Sequence, residues 1–204
     1  MGFLKGILTL IGTIVVAGFI FAYVKFDLGT RISQVTQLDP KAMGLYMDMF
    51  DKVLTTGDPA KGMVIKRKLV IPEDMTKKEA ILNALEIMDE VGEQYGMAMV
   101  DTKLMSRGEE DDKGVYQPYV RIRSYCSPTI AKVFLAHSPE FIGFMPCRIG
   151  IVESPNGEVW LYTMSVDLMI NGGRPLPEKL LKLADEVRTG MYSMLEKAAK
   201  GEED

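Results

Sequence analysis

An uncharged apolar run near the N-terminus constrains this chain more than any other feature. Between Lys5 and Lys25, residues 6–24 contain no charged side chain. At about 1.5 Å of rise per residue, a helix of this length spans about 28 Å, which is enough to cross the core of a bilayer. The run has no polar face, and this argues against a helix buried in a soluble core. We therefore predict a transmembrane anchor over residues 1–25.

A cleaved signal peptide is the alternative for this run. Its apolar part would be longer than the usual stretch of about 7–15 residues, and no small-x-small cleavage site comes after it. Two positive residues, Lys25 and Arg31, come after the run and one, Lys5, comes before it. By the positive-inside rule this slightly favours a cytoplasmic location for the soluble domain. A short basic segment before an apolar run is nevertheless how a signal-anchor begins, and such segments usually export the domain that is C-terminal to them. We expect a single-pass protein of the cell membrane whose soluble domain lies on the extracytoplasmic (periplasmic) side.

The rest of the 204-residue chain is long enough to bury a core without the help of a metal or a disulfide. Its net charge of −4 argues against a nucleic-acid surface over the whole domain. The chain has only 2 cysteines but 15 methionines, and we attribute most of the methionines to core filling.

Hydrophobic periodicity divides the chain after the anchor into three parts. A connector and an amphipathic helix occupy 26–59, a core domain 60–172, and a C-terminal helix with an acidic tail 173–204. Strands are predicted over 63–71, 97–105, 117–125, 148–153 and 158–166, and helices over 40–56, 76–95, 128–137 and 177–200. Thr76 and Glu79 form a capping-box pattern at the start of the second of these helices. The order predicts an α+β fold, a mostly antiparallel sheet of about five strands with helices packed on one face, plus the N-terminal transmembrane helix.

The strand at 117–125 has two faces of different character. The face predicted to lie toward the core carries Val120, Ile122 and Ser124. The face predicted to be open to solvent carries the ligand-binding candidates Tyr119, Arg121, Arg123 and Tyr125. Arginine binds anions and tyrosine offers stacking, so a small anion or an acidic patch on a partner would suit this face. The alternative is an ordinary solvated sheet face with cross-strand ion pairs.

Strand alternation predicts that both cysteines, Cys126 and Cys147, point inward. Three interpretations are open: two small buried side chains, a structural disulfide, or a reactive or ligand-binding thiol pair. The single histidine, His137, lies about 16 Å from Cys126 along a helix axis, and a zinc site would lack a fourth ligand. No metal site and no cofactor is predicted.

Two segments around the cysteines carry a family resemblance. They are Ser124–Ala131, with a Cys-x-Pro before a helix, and Ser138–Ile151, with a Pro-Glu loop leading into a Pro-Cys and a strand. The chain resembles the family catalogued as domain of unknown function 302, over about 60–170 and most specifically over 124–166. It departs from the family pattern at Met145, where leucine is usual, and at Ser127, where asparagine is usual. The resemblance implies a compact α+β domain with an antiparallel sheet, often dimeric, and it transfers no catalytic residue.

No nucleophile elbow, phosphate loop, dinucleotide fingerprint or metalloprotease motif occurs in the chain, so we do not predict an enzyme. The leading interpretation is a membrane-anchored accessory or interaction domain, which could also bind a small ligand. The alternative is a redox or sulfur-handling protein that uses Cys126 and Cys147. The expected partners are the membrane, and a second copy of the chain or a membrane-complex protein, but not nucleic acid.

Overall fold

Five strands form one antiparallel sheet in the computed structural model, which describes residues 2–202. They are β1 (Val64–Lys68), β2 (Ala98–Glu110), β3 (Tyr116–Cys126), β4 (Cys147–Glu153) and β5 (Val159–Met164). Their order in the sheet is β1-β5-β4-β3-β2, so β2 to β5 form a meander and β1 adds at the far edge beside β5. The predicted antiparallel sheet of about five strands is confirmed.

Eight α-helices accompany the sheet within residues 2–202. They are α1 (Gly2–Lys25), α2 (Leu28–Val35), α3 (Ala42–Thr56), α4 (Pro59–Met63), α5 (Lys77–Gln94), α6 (Pro128–His137), α7 (Asp167–Asn171) and α8 (Glu178–Lys200). A 3₁₀ turn, Pro139–Phe144, comes directly after α6. The predicted capping box is present at the start of α5, where the Thr76 hydroxyl accepts from the Glu79 N–H and the Glu79 carboxylate accepts from the Thr76 N–H. The helices α2, α4 and α7 were not predicted, because each is too short to show a helical period.

The two long helices α5 and α8 pack together on one face of the sheet and build the main core. That core combines apolar residues of both helices with the inward residues of the strands, among them Ile87, Met88, Met97, Tyr125, Ile149, Ile151, Leu161, Met191 and Met194. A second cluster lies beside it, where α6, the 3₁₀ turn and α7 meet the first turns of α8 around Phe134 and Ile170. The prediction of helices on one face is confirmed.

The predicted assignment of faces on β3 is wrong. Arg123 is the cross-strand partner of Ile149, and Arg121 is the partner of Ile151. Directly opposed residues point to the same face of a sheet, and both isoleucines are buried under the helices. The face with Tyr119, Arg121, Arg123 and Tyr125 is therefore the helix-covered face, and Tyr125 is completely buried.

The face without helices carries the side chains that the alternation had assigned to the core. Val120, Ile122 and Val152 lie there beside the aromatic rings of Trp160 and Tyr162. All five are partly shielded from solvent by their neighbours on the sheet. The Lys66 ammonium lies 4.5 Å from the centre of the Trp160 ring, which places a cation–π contact on this surface.

Helix α1 is long and apolar enough to cross a membrane, and none of its residues is buried against the rest of the chain. Helix α3 is tied to the domain instead, because the Tyr46 hydroxyl donates to the Gly172 carbonyl at 2.6 Å. The exposed side of this helix carries four apolar residues in a row, Met43, Met47, Phe50 and Leu54, with Leu54 67% exposed. Helix α1 therefore does not pack on the domain, whereas α3 packs on it through one side and leaves its apolar row exposed.

Candidate functional site

A cleft opens on the helix-covered side of the sheet, between the first turn of α5 and the paired ends of β2 and β3. Its cavity volume is about 240 Å³. This is below the range of about 300–1,000 Å³ that holds drug-sized ligands, so the cleft suits a small ion or a group of a few atoms. We call it the basic cleft, because its charged lining consists of Lys77, Lys78, Arg107, Arg121, Glu109 and Glu153. Four cations against two carboxylates give the cleft a net positive charge in a chain whose overall charge is −4.

Glu153 forms the floor of the basic cleft and is only 4% exposed. Its carboxylate accepts hydrogen bonds from the Lys77 ammonium, from the Tyr116 hydroxyl at 2.7 Å and from the Tyr119 N–H at 3.0 Å. Burial alone would raise the pKa of this carboxyl, but the three hydrogen bonds together outweigh burial and lower the pKa below its ordinary value. The hydrogen bond to Glu153 raises the pKa of Lys77 in turn. Glu153 and Lys77 therefore neutralise each other's charge, and their ion pair holds the start of α5 against the floor of the cleft.

In the part of the chain that the structure describes, the remaining three cations of the cleft form no ion pair, and Glu109 is the one other carboxylate of the lining that offsets their charge. Within residues 2–202, no carboxylate forms an ion pair with Lys78, Arg107 or Arg121. The Nε atom of Arg121 is buried and has no hydrogen-bond partner, and its guanidinium lies 5.9 Å from the centre of the Tyr119 ring. A buried N–H without a partner costs about 1–3 kcal/mol, so Arg121 is held in the cleft at the expense of stability.

The four ligand-binding candidates separate into two pairs. Tyr119 and Arg121 line the basic cleft. Arg123 and Tyr125 do not line it, because both bind the Asp89 carboxylate of α5, Arg123 by an ion pair and Tyr125 by a hydrogen bond of 2.8 Å. Arg123 also donates to the Leu85 carbonyl at 2.8 Å. Burial and the bond to Asp89 raise the pKa of Tyr125, so this pair has a structural role: it fastens α5 to β3.

Sequence reasoning missed Arg107, Lys77, Lys78, Tyr116 and Glu153 as members of the site. Arg107 lies outside the predicted strands 97–105 and 117–125, whereas β2 and β3 extend to a tighter turn between Glu110 and Tyr116. In that register Arg107 is the cross-strand partner of Tyr119, on the same face. A hairpin drawn around residues 111–115 would have revealed this pairing.

A second cavity lies at the other end of the helix-covered face, under α6, and contains both cysteines. Its lining includes Cys126 and Cys147 together with Met97, Met145 and Met169, and its empty space is about 430 Å³, counting the part that is open to solvent. We call it the sulfur-lined cavity. His137, at the exposed end of α6, does not line it.

Both cysteines are free thiols in the structure, without a disulfide between them. Burial raises the pKa of Cys147 to about 11, with a smaller contribution from the neighbouring Cys126. Burial also raises the pKa of Cys126. Both groups are therefore protonated near neutral pH, which makes them weak nucleophiles. The use of the two cysteines in redox or sulfur chemistry stays a prediction.

The fold and the basic cleft define this chain as an α+β protein whose antiparallel sheet carries its polar pocket beneath the covering helices. It belongs to the family described as domain of unknown function DUF302, whose model matches residues 76–198. The resemblance seen around the cysteines is thereby confirmed, and the match extends through most of α8.

Among solved structures, the chain is similar to an uncharacterized conserved DUF302 protein from Bacillus stearothermophilus. The two share 14% sequence identity with a TM-score of 0.49, over 67% of this chain and 98% of the other. A comparison with curated proteins found no match.

Proposed function

We propose that this protein is a membrane-tethered, non-catalytic binding domain that holds a small anion in the basic cleft. The observation that carries the proposal is Arg121, whose buried Nε has no partner while its side chain lines an open cleft. An anionic oxygen is the partner that a guanidinium binds best. Bound phosphate, sulfate or carboxylate would supply the hydrogen bonds that Arg121 lacks.

The position of α5 favours an anion further. Lys77 and Lys78 are the first two residues of this 18-residue helix, and both line the cleft. The Glu79 carboxylate of the capping box offsets the partial positive charge of this helix end, so the attraction comes from side chains. Lys78, Arg107 and Arg121 surround one space with positive potential, and Tyr116 and Tyr119 offer rings beside it.

Replacement of Arg121 by methionine tests the anion site. We expect the variant to bind inorganic phosphate about tenfold or more weakly, because a charge-assisted hydrogen bond is worth about 1.5–3 kcal/mol. We also expect it to be about 1 kcal/mol more stable than the natural chain without ligand, because a buried unpaired group is removed. Calorimetric titration and thermal unfolding of the full-length chain in detergent measure the two effects.

Arg148→Met is the matched control, since Arg148 is an exposed arginine of the same sheet that does not line the basic cleft. It should leave phosphate binding unchanged. If the natural chain binds none of phosphate, sulfate and acetate, or if Arg121→Met binds phosphate as tightly as Arg148→Met, the anion site is contradicted.

The membrane tether in this proposal rests on α1, a 24-residue helix with no buried residue, and on the exposed row of α3. The spacing of Met43, Met47, Phe50 and Leu54 by four, three and four residues puts them on one side of α3. Only residues 26–41 separate this helix from the end of α1. We propose that α1 anchors the chain in the cell membrane, with the domain on the extracytoplasmic side, and that this row rests on the lipid surface.

Fluorescence quenching tests the contact with lipid. In a Trp160→Phe background, which removes the single natural tryptophan, Phe50→Trp should be quenched strongly by lipids brominated in the upper acyl chain. Thr55→Trp, on an exposed position about 140° around the same helix, should be quenched much less. Equal quenching at the two positions in proteoliposomes would show that the row does not face the bilayer.

A further inference from the structure

Five sulfur-containing residues line the sulfur-lined cavity, and they come from separate parts of the fold. Met97 directly precedes β2, Cys126 ends β3, Met145 and Cys147 lead into β4, and Met169 belongs to α7. Both cysteines of the chain are therefore in this one cavity. No histidine, carboxylate or amine is among the residues that line it.

The sheet register brings the backbones of the two cysteines close together, and both side chains line the same cavity. Cys147 is the direct cross-strand partner of Tyr125, the residue next to Cys126. Directly opposed residues of an antiparallel pair have Cα atoms about 4.5–5.5 Å apart. Met145 stands two residues before Cys147 and lines the same cavity.

The donor set selects the class of metal. Magnesium and calcium need oxygen ligands, and zinc sites use thiolate, imidazole or carboxylate in a set of at least three protein ligands. Here two thiols and three thioethers are available, and the harder donors of the lining are only the neutral hydroxyls of Ser127 and Tyr125, of which that of Tyr125 is bound to Asp89. Soft thiolate and thioether ligands select Cu(I).

We propose that the sulfur-lined cavity is a Cu(I) site, with Cys126 and Cys147 as thiolate ligands and a methionine thioether as an additional ligand. On binding, the two thiols release their protons to solvent, and the two thiolates with one Cu(I) carry a net charge of −1. The site would occupy the core side of the sheet, away from the basic cleft, and does not depend on the anion proposal.

The start of α6 offsets that negative charge. Cys126 lies directly before Ser127 and the 10-residue helix α6, whose N-terminus has no side-chain cap. The uncapped N–H groups of a first helical turn stabilise nearby negative charge. The N-terminus of α6 is thus next to Cys126, where a thiolate would form. A cluster of methionines that only fills the core would not need such a group beside it.

Competition with bicinchoninate, a chromogenic Cu(I) chelator, tests the proposal on the reduced full-length chain in detergent without oxygen. We expect one Cu(I) to be retained per chain, and Cys126→Ser and Cys147→Ser each to weaken its binding at least about tenfold, because even residues outside the ligand shell change metal affinity by about that factor. At least one of Met97→Leu, Met145→Leu and Met169→Leu should weaken it as well. Met99→Leu is the matched control, since this neighbouring methionine is 41% exposed and does not line the cavity.

The metal-free variants are compared by circular dichroism, so that a loss of folding is not counted as a loss of binding. Where Cys147→Ser does not fold, the more exposed Cys126→Ser and the methionine variants decide the question. A natural chain that loses all Cu(I) to the chelator overturns the proposal. So does a set of folded variants in which Cys126→Ser binds Cu(I) as tightly as Met99→Leu.

Discussion

Replacing Glu153 by alanine is expected to lower the free energy of unfolding by about 3 kcal/mol, the low end of the cost of breaking a buried ion pair. The carboxylate is almost fully buried and binds Lys77, Tyr116 and the Tyr119 N–H. Its loss leaves the Tyr119 N–H without an acceptor and breaks the ion pair with Lys77 that links α5 to β4. The low end applies because the Lys77 side chain is 39% exposed, and water can solvate its ammonium in the variant. Urea unfolding of the full-length chain in detergent measures the change.

The same residue predicts a pH dependence with a definite sign. The pKa of Glu153 is lower in the folded chain than the value of about 4.3 expected in the unfolded chain. Its contribution to stability is therefore fully present above about pH 4.3 and is lost as the pH falls through the lower folded pKa. Glu153→Gln has no carboxyl to titrate, so its stability should fall less steeply than that of the natural chain as the pH drops below about 4.3. Parallel curves for the two proteins would contradict the lowered pKa of Glu153.

The error on β3 shows what alternation can and cannot decide. Counting apolar residues favoured Val120 and Ile122 as the buried face, but tyrosine and arginine have long apolar bodies that can be buried when their polar ends find partners. For Arg123 and Tyr125 that partner is Asp89, more than 30 residues away on α5. A single strand does not contain this information. The neighbouring strand contains it, because Ile149 and Ile151 of β4 are apolar and buried and oppose Arg123 and Arg121.

The candidate site was predictable to the extent that its residues are close in sequence. Tyr119 and Arg121 lie on one strand, so their common face was visible from alternation. Lys77 and Glu153 reach the cleft from α5 and from the end of β4, and only the packing of α5 across the sheet brings them together. Cys126 was expected to point inward because it alternates with Ile122 and Ser124, and that reason fails with the rest of the assignment on β3. It lines one cavity with Cys147 because it ends its strand and the sheet register sets Cys147 beside that end.

Replacing Gly92 by alanine is expected to lower the free energy of unfolding by about 2 kcal/mol, although alanine favours the helix by about 1 kcal/mol over glycine. A Cβ at this position of α5 would stand 2.8 Å from the Met97 carbonyl oxygen and 3.2 Å from the Met194 sulfur. The sulfur can move with its flexible side chain, but the carbonyl belongs to the backbone, and the Met97 N–H donates to the Gly92 carbonyl at 2.8 Å. Relief of the clash would break this bond, and such overpacking costs about 1–3 kcal/mol.

Gly44→Ala on α3 is the matched control, because a Cβ there would meet no atom within 4 Å. Because no clash occurs, the free energy of unfolding of this variant should rise by about 0.5–1 kcal/mol from helix propensity alone. The two substitutions thus make the same chemical change in two helices with opposite expected signs. Since the Met97 carbonyl is the one of these neighbours that belongs to the backbone, a stabilising Gly92→Ala in urea unfolding would mean that the segment leading into β2 can move away from the helix.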